Sequence, residues 1–232
     1  MEIAEQNLLP IVKRMVALKS VGQAFHSGKI CDDMEVLLLD AFGTLCEIQD
    51  RRNPYKPILK AWPYGVAGAY QALMTRDVPP TALAYEVGCS PETILRMEEA
   101  IRSETESMRL YPDVPAVLEA IKSRGLKWGI VSNLATPYAE PLLHLLPYVP
   151  DVCAWSFSVG YRKPEEGIYN YACKALGVAP SSVLMVGDSL ENDYTTPKRL
   201  GMKAAFLKRS GNKEYMADCV ENLTGILSML GG

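Results

Sequence analysis

The sequence predicts an α/β protein built on a parallel sheet that is doubly wound, with helices on both faces. Short apolar runs rich in Val, Leu and Ile alternate with helical stretches along the second half of the chain. Polar and acidic residues collect directly after those apolar runs, where open α/β sheets place their ligands. The rhythm is broken once, by a proline-rich stretch over residues 46–111 that reads as an insert.

The elements follow in order. Leu8, Val12, Met15, Leu18 and the Val21–Phe25 pair recur at helical spacing, which predicts an amphipathic helix in an N-terminal extension over residues 1–33. Met34–Leu39 is a continuous apolar run, the mark of a strand buried on both sides, and Asp40 follows it directly. In the insert, Pro54, Pro57, Pro63, Pro79, Pro80 and Pro91 cut the chain into helical pieces. The clearest piece runs from Pro91 to Met108, with Ser90 as its N-cap. A helix then opens at Asp113, carries Pro115 in its first turn and stops at Gly125. Leu126–Val131 is the next strand, followed by a helix over Pro137–Leu146 and a strand over Val152–Val159. Pro164–Leu176 is a helix stopped by Gly177, Val183–Val186 a strand, Asn192–Leu200 a helix stopped by Gly201, and Met202–Leu207 a fifth strand. This gives a core of residues 34–45 and 112–232 and a helical cap of residues 46–111.

At 232 residues and 48% apolar content the chain can bury one large core. A net charge of −3 argues against general nucleic-acid binding, which needs a concentrated basic face. No apolar run approaches the roughly 18 residues needed to cross a bilayer, and the acidic start MEIAEQNLLP is unlike a secretory signal. Six scattered cysteines without a CxxC pair suit reduced thiols, so a cytoplasmic location is expected. Only two histidines are present, which disfavours a His-centred triad or a His-rich metal site.

Four polar groups share one position, the carboxyl end of a predicted strand. They are Asp40-Ala41-Phe42-Gly43-Thr44, Ser132-Asn133, Lys163-Pro164, and Gly187-Asp188-Ser189-Leu190-Glu191-Asn192-Asp193. Any one alone is as readily a turn or a helix cap; all four in order make one pocket. Asp40 can be a nucleophile or a metal ligand, and Thr44 and Ser132 offer hydroxyls to a bound anion. Gly43 permits close backbone approach, and Lys163 supplies a fixed positive charge. Asp188 and Asp193 would repel Asp40 unless a cation joined them, and hard oxygen ligands point to Mg²⁺. In the insert, Arg51, Arg52, Lys56 and Lys60 either grip an anionic substrate or form a solvated basic face.

This ordered set resembles the four motifs of the haloacid dehalogenase superfamily, whose fold is a Rossmann-like sheet with a cap, and the likeness extends over about residues 34–210. Tyr111-Pro112-Asp113-Val114, closing the insert, is also typical of that family. The resemblance implies that Asp40 is the nucleophile, that Thr44 and Ser132 bind the transferred group, and that Lys163 stabilises charge. It also implies that Asp188 ligates Mg²⁺ together with Asp40 and the Phe42 carbonyl, supported by Asp193. The substrate is then expected against Phe42, Gly43, Asn133 and Arg52.

Phe42 departs from the family's usual DxDxT motif. It stands where the phosphatases carry a second aspartate, their general acid and base. The 2-haloacid dehalogenase branch has an aromatic there, but it needs no metal and replaces the acids of the fourth motif. The combination of Phe42 with Asp188 and Asp193 favours a Mg²⁺-dependent hydrolase of a small anionic phosphate ester or acyl phosphate. A dehalogenase of 2-haloacids is the alternative, and a catalytically weakened binding protein a further one.

Overall fold

The computed structural model describes residues 34–209 and 218–230. The helix expected over residues 8–25 lies outside the described residues. Six strands form one parallel sheet: β1 (Val36–Leu39), β4 (Lys127–Ser132), β5 (Val152–Trp155), β6 (Val183–Gly187), β7 (Lys203–Leu207) and β8 (Cys219–Val220). Their spatial order is β5-β4-β1-β6-β7-β8. β1 lies between β4 and β6, with Leu37 opposite Trp128 on one side and Leu184 on the other. The chain therefore builds the sheet outward in one direction and then returns to build in the other. Asp40 ends the strand at that switch point, where α/β sheets open a ligand crevice.

The alternation of side chains along β1 explains its unbroken apolar sequence. Leu37 and Leu39 enter a core with Val117, Leu118 and Ile121 of α5 (Val114–Ser123). Val36 and Leu38 enter a second core with Ile168, Ala172 and Leu176 of α8 (Glu166–Leu176). Both faces are covered, so no position on the strand is left for a polar residue. α8 ends as its sequence demands, on Gly177 with a left-handed φ of +70°.

The segment between β1 and β4 is helical in its middle and stranded at its base. β2 (Cys46–Ile48) pairs antiparallel with β3 (Met108–Leu110), bringing Glu47 opposite Arg109. Between them lie α1 (Lys56–Ala61), α2 (Gly65–Thr75), α3 (Pro80–Glu86) and α4 (Pro91–Glu106). α4 starts where its capping signals lie: Ser90 Oγ accepts from the Thr93 amide at 3.3 Å, and Pro91 fills the first turn.

Four expectations need correction. The strand expected over Val152–Val159 ends at Trp155, and Ser156–Val159 is a short helix, α7. Ser156 Oγ accepts from the Leu134 amide at 2.9 Å, which turns the chain away from the sheet despite the β-forming Phe157 and Val159. The helix expected over Asn192–Leu200 begins as a wide π-type turn, Leu190–Thr195, and only Thr196–Arg199 (α9) is α-helical. The helix expected over Pro137–Leu146 is a 3₁₀ turn, Thr136–Tyr138, leading into α6 (Ala139–Leu145). Asp113 precedes α5 without capping it, because its carboxylate is drawn elsewhere. Among the described residues no helix is long and apolar enough to cross a membrane.

Candidate active site

The four sequence groups meet at the carboxyl edge of the sheet. Lys163 is buried, and its Nζ donates to Asp40 Oδ1 and to Asp193 Oδ1, both at 2.6 Å. Burial alone would pull the lysine pKa down, but Asp193 and Asp40 more than offset this and hold it above its ordinary value. Asp193 is itself buried; desolvation pushes its carboxyl up to about 6, against the pull of Lys163. Its Oδ2 accepts from the Ser189 amide at 3.0 Å, so the turn that follows β6 is folded around its own acid. Asp188 is exposed, and its pKa is raised by partial burial and by Asp40.

Two glycines make room for these acids. Gly43 has a φ of +86°, and a Cβ there would stand 2.0 Å from Asp188 Oδ2. Gly187 ends β6, and a Cβ there would stand 2.3 Å from Asp193 Cγ. Asp40, Asp188 and Asp193 can each present one ligand atom, all within 4.8 Å of one another. Thr44 is fully buried and its Oγ1 has no hydrogen-bond partner. Such an orphaned hydroxyl costs free energy unless a ligand completes it. Ser132 is buried at the end of β4.

Two residues, Asn133 and Arg52, are placed differently from the expected ligand contacts. Asn133 spends its side-chain amide on the Lys163 peptide, donating to its carbonyl at 2.8 Å and accepting from its amide at 2.6 Å. It orients the lysine rather than presenting an open amide. Arg52 pairs with Asp50 at 2.6 Å on an exposed surface, and its guanidinium is committed there. Phe42 meets the Tyr138 ring edge-on, with centroids 5.8 Å apart. Cys46, beside the site, is buried, and burial, Asp40 and Glu47 push its thiol up to about 12, which disfavours a thiolate.

The sequence reading missed two further groups. Glu104 of α4 is buried; Oε1 accepts from the Arg52 and Asn53 amides at 2.6 and 2.8 Å, and Oε2 accepts from the Tyr138 hydroxyl. Arg209, just past β7, donates to the Gly43 and Thr44 carbonyls at 3.1 and 2.7 Å and to Asp113 Oδ2 at 3.0 Å. The only sequence signal for Arg209 is a basic pair, Lys208-Arg209, directly after a strand. Glu104 lies in the last turn of α4 among other charged residues and gives no signal.

A parallel sheet with a lysine-bridged pair of carboxylates at its switch point sets an acidic centre where α/β enzymes bind their ligands. The chain belongs to the haloacid dehalogenase-like hydrolases, whose family pattern matches residues 34–201. It is 30% identical over 164 residues to the phosphoserine phosphatase of Thermus thermophilus, covering 68% of this chain and 60% of that one. It is 35% identical over 102 residues to the N-acetylmuramic acid 6-phosphate phosphatase of Pseudomonas aeruginosa, covering 43% and 45%. The chain thus spans less than two thirds of either relative. A haloacid dehalogenase-type phosphatase from Thermococcus onnurineus superposes with a TM-score of 0.60 at 25% identity, over 86% of this chain and 99% of that one.

Proposed function

We propose that this hydrolase cleaves phosphate esters or acyl phosphates of small anionic metabolites in the cytoplasm, with Asp40 as nucleophile and Mg²⁺ as cofactor. The acid cluster carries the reading. Asp40, Asp188 and Asp193 converge within 4.8 Å, against the buried ammonium of Lys163, the only buried cation among the described residues. Such a centre is net negative and would repel a phosphate group unless a cation joined it. The donor set fits Mg²⁺: all ligands are hard carboxylate oxygens, and Gly43 leaves open the space that Asp188 occupies. Asp40 and Asp188 would hold the ion with the Phe42 carbonyl, and Asp193 would support them from behind. When bound, Mg²⁺ supplies charge neutralisation and orientation for the phosphoryl group.

The chain's own residues then act in two steps. The Asp40 carboxylate attacks phosphorus, and the bond to the departing oxygen breaks as the aspartyl phosphate forms. Lys163, bonded to Oδ1, holds the Asp40 side chain in its orientation. Thr44 Oγ1 and the Ser132 hydroxyl donate to the phosphoryl oxygens. Water next cleaves the aspartyl phosphate, releasing phosphate and restoring the carboxylate. Phe42 can neither protonate the departing oxygen nor deprotonate the water, so esters with good leaving groups are favoured.

Residues 46–111 serve as the cap. Gln71, the Val78 carbonyl and Glu104 reach the core at Arg162, Thr136 and Tyr138, around the loops that carry Lys163 and Ser132. A dehalogenase-like reading draws on Phe42 and its contact with Tyr138, but it leaves Asp188 and the space cleared for it without a role. A panel of phosphorylated metabolites and 2-haloacids, each assayed with and without Mg²⁺, separates the two. Mg²⁺-dependent phosphate release is expected; halide release indifferent to Mg²⁺ would overturn the proposal.

A further inference from the structure

The Arg209 guanidinium joins segments that are far apart in sequence. It spans the carbonyls of Gly43 and Thr44, pairs with Asp113 Oδ2, and lies 3.8 Å over the Tyr111 ring. Asp113 Oδ2 also accepts from the Leu223 amide at 2.6 Å, and the Tyr111 amide donates to the Leu45 carbonyl at 3.1 Å. The loop after Asp40 is thereby held along both edges. On one edge the amides of Thr44, Leu45 and Cys46 all donate to the Ala41 carbonyl, at 3.3, 2.8 and 3.0 Å. On the other edge two successive carbonyls meet the planar fork of Arg209, a geometry that a lysine cannot match. The peptide planes on either side of Thr44 are therefore both fixed. Thr44 itself presents a buried hydroxyl with no partner in the protein.

We infer that Arg209 is a positioning residue for the phosphoryl site, acting through the Gly43–Thr44 peptides to aim Thr44 Oγ1 at the transferred group. This rests on the phosphate-ester reading above. A clamp that acts through Thr44 has a distinctive consequence: once the Thr44 hydroxyl is gone, loss of the clamp has little left to misplace.

The test is a double-mutant cycle in kcat/KM on one aryl phosphate at saturating Mg²⁺, using wild type, Arg209→Gln, Thr44→Val and the double variant. Each single change is expected to lower kcat/KM roughly 10–100-fold, as misplacement near a reacting centre does. The double variant should then fall no more than about threefold below the weaker single one. Melting temperatures of the four proteins should meanwhile add, since the contacts of Arg209 to Asp113 and Tyr111 do not involve the Thr44 hydroxyl. Arg209→Lys keeps the charge and loses the fork, so it should resemble Arg209→Gln in rate. If Arg209→Gln does not fold, Arg209→Lys completes the same cycle. Losses that multiply, or an Arg209→Lys enzyme as fast as wild type, would overturn the inference while wild-type turnover upholds the phosphate-ester reading. A wild type that releases phosphate from no ester would overturn both.

Discussion

A methyl group on Gly43 would stand 2.0 Å from Asp188 Oδ2, so the loop after Asp40 and the loop after β6 share a space that only glycine leaves open. Asp188 is exposed and can swing away from an intruding group. Gly43→Ala should therefore leave the protein folded, at a cost of about 1–2 kcal/mol for a side chain at positive φ. On the proposed Mg²⁺-dependent function, its effect should fall on metal binding. The rise in melting temperature caused by Mg²⁺ should shrink, with affinity lower by about tenfold or more. A variant that binds Mg²⁺ as wild type does would remove Asp188 from the metal site.

Gly187 gives the contrasting case. A methyl group there would stand 2.3 Å from Asp193 Cγ, and Asp193 is held by both Lys163 and the Ser189 amide. Since this acid cannot swing out, Gly187→Ala should act on stability by overpacking, costing about 3 kcal/mol and more than Gly43→Ala. Chemical denaturation measures it, and a cost no greater than that of Gly43→Ala would contradict the arrangement.

Lys163 is the only buried cation among the described residues and bridges two carboxylates. Lys163→Met leaves Asp40 and Asp193 facing each other without a counter-charge, which should cost about 3–5 kcal/mol. Adding Asp193→Asn removes one of the repelling charges and should recover part of that stability, though not activity. Denaturation midpoints of the three proteins check this; no recovery would mean that the two acids are not coupled through Lys163.

The sequence makes legible what depends on local pattern. An unbroken apolar run followed by Asp40 marks β1 and its place in the sheet, and Ser132, Lys163 and Asp193, which end a strand or lie in the segments that follow one, converge because a parallel sheet brings those ends together. What could not be read depends on contacts between distant segments. β8 is two residues long and carries no period. β2 and β3 pair across the whole insert, in a stretch whose prolines announce helices and breaks. Asn133 reads as an open amide until the Lys163 backbone is seen in its grasp. Arg52 reads as a substrate contact until Asp50, two residues away, is seen to hold it. Arg209 and Glu104 act on backbone groups in other segments, and no spacing announces that.

Phe42 should leave the enzyme slow on alkyl phosphates, with rates that depend strongly on leaving-group pKa. Phe42→Asp restores an acid at that position and should recover some part of the roughly 10²–10⁴ that general acid–base catalysis supplies. The gain should be incomplete, because the ring meets Tyr138 edge-on at 5.8 Å and a shorter side chain leaves that space unfilled. Rapid-quench rates on an aryl and an alkyl phosphate check it. No leaving-group dependence in the wild type, with only harm from the substitution, would make Phe42 a pocket wall for another substrate.

The proposed function makes Asp40 the carrier of the transferred group, and the most direct test is to trap it there. The enzyme is mixed with Mg²⁺ and an aryl phosphate, quenched in acid within the first turnover, and its peptides are examined by mass spectrometry. Phosphate should be found covalently on the peptide bearing Asp40, persistent because Phe42 cannot activate the water that removes it, and absent from Asp40→Asn. Turnover without an adduct at Asp40, or an Asp40→Asn enzyme that keeps more than a few per cent of the activity, would contradict the claim.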